Sequence, residues 1–124
     1  MMLRRIFGAA PAADDTIGVV EAQRKVAARE AVMVDVREPD EWQAGHVADA
    51  RHIPLGELAA RLDELPRDQE LLLFCRSGVR SDRATQFLRS QGYTQARNVT
   101  GGIIAWAQHG LPLTQPGQTD EPAS

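Results

Sequence analysis

The chain has one cysteine, Cys75, one lysine, Lys25, and only 5% aromatic residues. It has no internal repeat, and no apolar run approaches the length of a membrane span. A single cysteine excludes an intrachain disulfide and a metal site built from cysteines alone. A lone thiol is at home in a reducing compartment, so the expected location is the cytoplasm. Scarce aromatics leave the core to aliphatic side chains. There is no basic excess either: the formal net charge is -3 and the pI is near 5.6. That argues against a general nucleic-acid binder. The start, Met1 to Pro11, imitates a secretory signal only faintly, because its apolar stretch is short and Pro11 interrupts it.

The 124 residues are 43% hydrophobic and 25% charged, ordinary values for a globular chain. A chain of this size buries roughly two-thirds of its unfolded surface, so it needs neither disulfide nor metal to fold. Residues 1–14 read as a flexible leader, 15–113 as one domain, and 114–124 as a disordered tail without apolar periodicity. Within the domain, Val32 to Val36 and Leu71 to Phe74 are short, nearly continuous apolar runs, the pattern of strands buried on both faces. Leu55, Leu58, Ala59 and Leu62 have the spacing of an amphipathic helix. So do Val19, Ala22 and Val26, and Ala84, Phe87 and Leu88, the last group closed by Gly92 as the residue after the helix end. A last short helix is expected over Ile103 to His109. Alternating strands and helices predict an α/β fold with a largely parallel sheet. Ligands of such sheets bind beyond the carboxyl ends of the strands.

One such end carries the chemistry. The run Leu71 to Phe74 ends in Cys75-Arg76-Ser77-Gly78-Val79-Arg80-Ser81. Gly78 is free to take a positive φ, and a helix is expected to begin with Ser81 as its N-cap. A thiol facing backbone N–H groups at a helix start is held as the reactive thiolate. Arg76 and Arg80 add positive charge. Between Cys75 and Arg97 there are five arginines against Asp82 alone, so this segment carries +4 in a chain of net -3. Such local polarity suits an anionic substrate. The plainer alternatives are an inert packing cysteine, surface ion pairs for the two arginines, and turn or capping roles for Ser77 and Ser81.

Three separated motifs extend the pattern. The first is Asp35-Val36-Arg37-Glu38, followed by Glu41-Trp42, Gly45-His46-Val47, Ala50 and Ile53-Pro54. The second is the Cys75 loop. The third is Gly101-Gly102, Trp106, Gly110 and Pro112. In this order, over about residues 16–113, they resemble a single-domain rhodanese, a sulfurtransferase. Asp49 and His52 depart from the family's usual residues, both outside the loop. The resemblance implies a rhodanese-like domain with a five-stranded parallel sheet flanked by helices on both faces. It implies Cys75 as the sulfur carrier, and Arg76, Ser77, Gly78, Val79 and Arg80 as the loop around the bound sulfur. Asp35 and Arg37 would support that loop, with Ser81 beside it, and Gly101-Gly102 would turn tightly into the last helix. No cofactor or metal is implied.

The expected reaction moves a sulfane sulfur from a small anionic donor such as thiosulfate, through a Cys75 persulfide, to cyanide or a small thiol. A protein sulfur acceptor is a further option. No membrane or nucleic-acid partner is expected, and a monomer is. Two rivals stand beside this reading. Cysteine phosphatases and arsenate reductases also place Cys and Arg on a strand-loop-helix, but with His before the Cys and five residues between Cys and Arg. Here Phe74 precedes Cys75, and four residues separate it from Arg80. A noncatalytic rhodanese-like binding module is the other rival, and Cys75 argues against it. Asp35 is expected to end a strand, and the acids beside Pro39, Glu38, Asp40 and Glu41, fit the first turn of a helix that Pro39 begins, with Arg37 paired to Glu41. His46, His52 and His109 lack metal-ligand spacing; His46 is expected to pack. Trp42 and Trp106 are expected to anchor the core.

Overall fold

The computed structural model describes residues 15–116. Five strands form one sheet: β1 (Thr16–Ile17), β2 (Ala31–Asp35), β3 (Arg51–His52), β4 (Glu70–Phe74) and β5 (Ala96–Val99). Their order is β1-β5-β4-β2-β3 and every pairing is parallel. Three α-helices run between strands, α1 (Val19–Ala27), α2 (Pro39–Ala44) and α3 (Val79–Ser90), and a fourth, α4 (Gly102–Gln108), follows β5.

Strand periodicity divides the core between the two faces of the sheet. Val34, Val36, Leu71, Leu73 and Cys75 pack with Ala84 and Leu88 of α3. Their strand neighbours Met33, Leu72 and Phe74 pack with Ala22 and Val26 of α1 and Trp106 of α4. The two central strands are therefore apolar at almost every position, as the sequence pattern requires. Trp106 anchors its face as expected: it is buried, meets Phe74 edge-on at 5.5 Å and donates Nε1–H to the Pro112 carbonyl at 2.9 Å.

Four expectations need correction. The segment from Leu55 to Leu62 is not one helix. It makes two single 3₁₀ turns, Leu55–Glu57 and Leu62–Glu64. Gly56 is a poor helix former, and the i, i+3 pairs Leu55/Leu58 and Leu62/Leu65 suit three residues per turn as well as 3.6. Helix α3 begins at Val79 with Gly78 as its N-cap, so Ser81 sits inside the first turn. The positive φ of Gly78, 105°, lets the chain enter the helix earlier than a serine cap would. Trp42 is half-buried rather than a core anchor, lying between the rings of His46 and His52 at centroid distances of 3.5 and 4.7 Å. Finally, Thr114 belongs to the folded body: its N–H and C=O exchange hydrogen bonds with His46, both at 2.8 Å. The expected leader, 1–14, and the rest of the expected tail beyond Pro116 lie outside the described residues.

Candidate active site

Strand β4 is central and buried, so the residue after it emerges at the carboxyl edge of the sheet with its backbone already held. Cys75 is that residue, and it is 1% exposed. The chain then folds back over the sulfur. Sγ accepts hydrogen bonds from the Gly78 N–H at 3.1 Å, the Ser81 N–H at 3.4 Å and the Ser81 hydroxyl at 3.2 Å. The start of α3 contributes its partial positive charge at the same place. Burial pushes the Cys75 thiol up. The hydrogen bonds from Ser81 and from the N–H groups of Gly78 and Ser77 outweigh it, and the thiol lies below its ordinary value. This is the environment of a reactive thiolate.

The loop is buttressed from below by α4. The N–H groups of Ile103 and Ile104 donate to the carbonyls of Cys75 and Arg76 at 2.9 and 3.2 Å. Gly102 makes that approach possible. A Cβ there would lie 2.6 Å from the Arg76 carbonyl oxygen and closer still to that of Cys75. The tight turn expected at Gly101-Gly102 is present, with φ of 82° and 53°.

The site residues expected from the sequence occupy three positions. Gly78 and Ser81 touch Sγ with hydrogen-bond donors, and Ser77 supplies an N–H to it. Arg76, Ser77 and Val79 form the exposed rim, Val79 at 65% exposure. Among the described residues, Arg76 makes no ion pair. Arg80 points away to α2, where its guanidinium grips both oxygens of Glu41 at 2.6 and 2.8 Å. Beside Arg80, the Glu41 carboxyl is held down to about 2.

The expected Arg37–Glu41 pair is therefore absent. Arg37 instead donates Nε–H and a terminal N–H to the fully buried carboxylate of Asp35, at 2.8 to 3.1 Å, and reaches the Gly45 carbonyl at 2.8 Å. Its hydrogen bond to Glu41 goes to the main-chain carbonyl, at 3.3 Å. A buried carboxylate takes the guanidinium first because leaving it unpaired costs far more than leaving an exposed one. Asp35 and Arg37 thus lock α2 to the end of β2, and α2 in turn carries Glu41 to Arg80.

Asn98 is the residue that sequence reasoning missed. It lies on β5, buried, with Oδ1 2.6 Å from the Ser81 hydroxyl and its amide Nδ2–H donated to the Gly78 carbonyl at 3.1 Å. Asn98 stands 23 positions after Cys75 in the chain and no local motif marks it; the parallel pairing of Leu73 with Asn98 brings it beside the loop.

Among the described residues, no group of His, Cys, Asp or Glu could hold a metal ion, and no helix is long and apolar enough to cross a membrane. A family model described as Rhodanese-like domain matches residues 19–109. A protein named sulfurtransferase from Allochromatium vinosum is 41% identical over 95 residues, which cover 77% of this chain and 89% of that one. The thiosulfate sulfurtransferase GlpE of Vibrio cholerae is 32% identical over 97 residues, covering 78% and 92%. Among solved structures, a rhodanese-related protein from Thermoplasma volcanium matches with a TM-score of 0.74 at 31% identity, over 80% of this chain and 96% of that one. A human single-domain sulfurtransferase matches with a TM-score of 0.72 at 32% identity, over 82% and 97%.

Proposed function

This chain belongs to the rhodanese-like domain family, and from that premise we propose that it is a sulfurtransferase working through a persulfide on Cys75. The relatives named sulfurtransferase and thiosulfate sulfurtransferase support the reaction class. The single observation that carries the chemistry is the set of hydrogen-bond donors converging on one sulfur atom, Sγ of Cys75.

In the first step the Cys75 thiolate attacks the sulfane sulfur of an anionic donor such as thiosulfate. The Sγ–S bond forms as the donor's S–S bond breaks, and sulfite leaves with the bonding electron pair. Sγ is then neutral, and the negative charge of the persulfide sits on the outer sulfur. In the second step a thiophilic acceptor, cyanide or a thiol, attacks that outer sulfur and Sγ departs as thiolate, ready for another cycle. Arg76, exposed on the rim and without an ion pair among the described residues, attracts the donor and steadies sulfite as it leaves. A small acceptor, or a thiol borne on a protein, approaches the outer sulfur across the exposed rim of Arg76, Ser77 and Val79. No step requires a cofactor. A lone thiol suits a reducing compartment, so we assign the activity to the cytoplasm; the chain is taken to act as a monomer.

The test is intact-protein mass measurement after incubation with excess thiosulfate and removal of small molecules. The expected result is a gain of one sulfur atom, reversed by cyanide and absent in Cys75→Ser. If Cys75 is reduced and alkylates normally but gains no sulfur from thiosulfate or from glutathione persulfide, the reading fails and a noncatalytic binding module takes its place.

A further inference from the structure

The Ser81 hydroxyl has one proton and two acceptors. Asn98 Oδ1 is 2.6 Å away and Cys75 Sγ is 3.2 Å away. The amide cannot simply turn over to resolve this, because its Nδ2 is committed to the Gly78 carbonyl at 3.1 Å. Turning it would set two carbonyl oxygens against each other. Thus Oδ1 always faces Ser81, and it can only accept. When Cys75 is a neutral thiol there is no conflict: Ser81 donates to Asn98, and its oxygen lone pair can accept from S–H. When Cys75 ionises, the thiolate and Asn98 compete for the same proton. One of the two buried acceptors must go short.

We propose that Asn98 is a positioning residue for sulfur transfer, acting through Ser81 by drawing its hydroxyl proton away from the Cys75 sulfur. The proposal rests on the reading of Cys75 as the attacking thiolate and adds a residue to it. The consequence for the cycle follows from where the charge sits. In the free enzyme, the competition keeps the thiolate less stabilised than the loop alone would make it. An under-stabilised thiolate is the better nucleophile, because nucleophilicity rises with basicity. Once the Sγ–S bond has formed, Sγ carries no charge, and the hydroxyl returns to Asn98 without penalty. Asn98 therefore favours the loaded state over the free thiolate.

Removing Asn98 should not collapse the loop. The Gly78 carbonyl keeps a second hydrogen bond, from the Asp82 N–H at 3.1 Å, and α4 still holds the carbonyls of Cys75 and Arg76. The charged groups around the sulfur also stay in place. Arg76 lies on the loop, and Arg80, Asp82 and Arg83 lie on the first turns of α3, with Glu41 of α2 held on Arg80; α4 contributes none, and Arg97 of β5 is turned to Glu70. Any change in thiol acidity then reports on the hydroxyl.

The experiment measures the rate of Cys75 alkylation by iodoacetamide against pH in the wild type, Asn98→Ala, Ser81→Ala and the double variant. It needs no sulfur donor, so its outcome is independent of whether thiosulfate loads the enzyme. In Asn98→Ala the hydroxyl is released to the thiolate. Its midpoint should fall by about half to one pH unit and its high-pH plateau rate by about two- to threefold. Ser81→Ala should move the midpoint up, and adding Asn98→Ala to it should change nothing further. Asn98→Asp keeps the acceptor, so its midpoint should stay at or above that of the wild type. Asn98→Leu, which matches the shape of asparagine, replaces the alanine variant if that one does not fold. A midpoint that rises or does not move in both Asn98→Ala and Asn98→Leu overturns the proposal, as does an equal fall with Ser81 already removed.

Discussion

Two arginines follow Cys75 closely in sequence, and their surroundings give them different work. Arg80 spends its charge on Glu41, whereas Arg76 stands exposed at the rim. Arg76→Ala should therefore raise the KM for thiosulfate by about tenfold, the worth of one charge-assisted contact at a partly solvated site. An uncharged sulfur donor should be affected much less; equal loss with both would count against the role. Glu41 has a separate signature in acid. Its carboxyl is held from its usual 4.5 down to about 2, chiefly by hydrogen bonding to Arg80. Its folded value lies below its unfolded one, so the pair stabilises the fold above pH 4.5 and loses that contribution as pH falls through about 2. Urea unfolding measured between pH 5 and pH 2 should show a shallower loss of stability for Glu41→Gln than for the wild type. Parallel curves would show that the pair does not couple to folding. The glutamine keeps an oxygen acceptor for the Glu38 N–H, so the start of α2 survives the change.

Among the elements, α4 does the least expected work. It is seven residues long and carries no charged side chain, yet its first N–H groups hold the Cys75 and Arg76 carbonyls. Its approach depends on a glycine for two reasons at once, a φ of 53° and the lack of room for a Cβ. Gly102→Ala should cost about 2–4 kcal/mol in urea unfolding, from backbone strain and overpacking together. It should also slow persulfide loading, because the loop must move off α4. A variant as stable as the wild type would mean that the helix has another way to seat. The segment from Leu55 to Glu64 shows the opposite relation between sequence and element. Its apolar spacing fits both a helix and two 3₁₀ turns, and only the packing of Leu58 and Leu65 beneath α3's face of the sheet decides between them. A helix boundary was legible where a local backbone constraint marks it. Pro39 opens α2 with the Glu38 and Glu41 capping box in place, and Gly92 follows α3 with a φ of 94°.

At the scale of the whole molecule, the sheet keeps its two faces apart, and the sulfur belongs to one of them. Leu72 is fully buried on the opposite face, against α1 and α4. Leu72→Ala should lower stability by about 2–5 kcal/mol, the usual range for such a cavity. Under conditions where the variant remains folded, its loading with sulfur should match the wild type, provided that α4 keeps its N–H groups on the Cys75 and Arg76 carbonyls, since the loop side chains pack on the other side. Loss of loading in proportion to stability would indicate that the two faces act as one unit. Much of this architecture follows from patterns that act over a few residues. Apolar runs make strands, and their alternation with helical spacings makes a parallel sheet. A cysteine after a buried strand and before a glycine and a helix must face backbone donors. The sequence by itself thus determined the fold class, the place of Cys75 and the loop around it. Only the tertiary structure decided who shares the Ser81 proton, which acid answers Arg80, and where Arg37 turns. Asn98 reaches Ser81 through strand register, Glu41 reaches Arg80 from a helix 39 residues away, and Asp35 wins Arg37 because burial raises the cost of leaving it alone. Those outcomes depend on distances between segments and on competition for a limited number of donors, and neither is written in the spacing of residues along a chain.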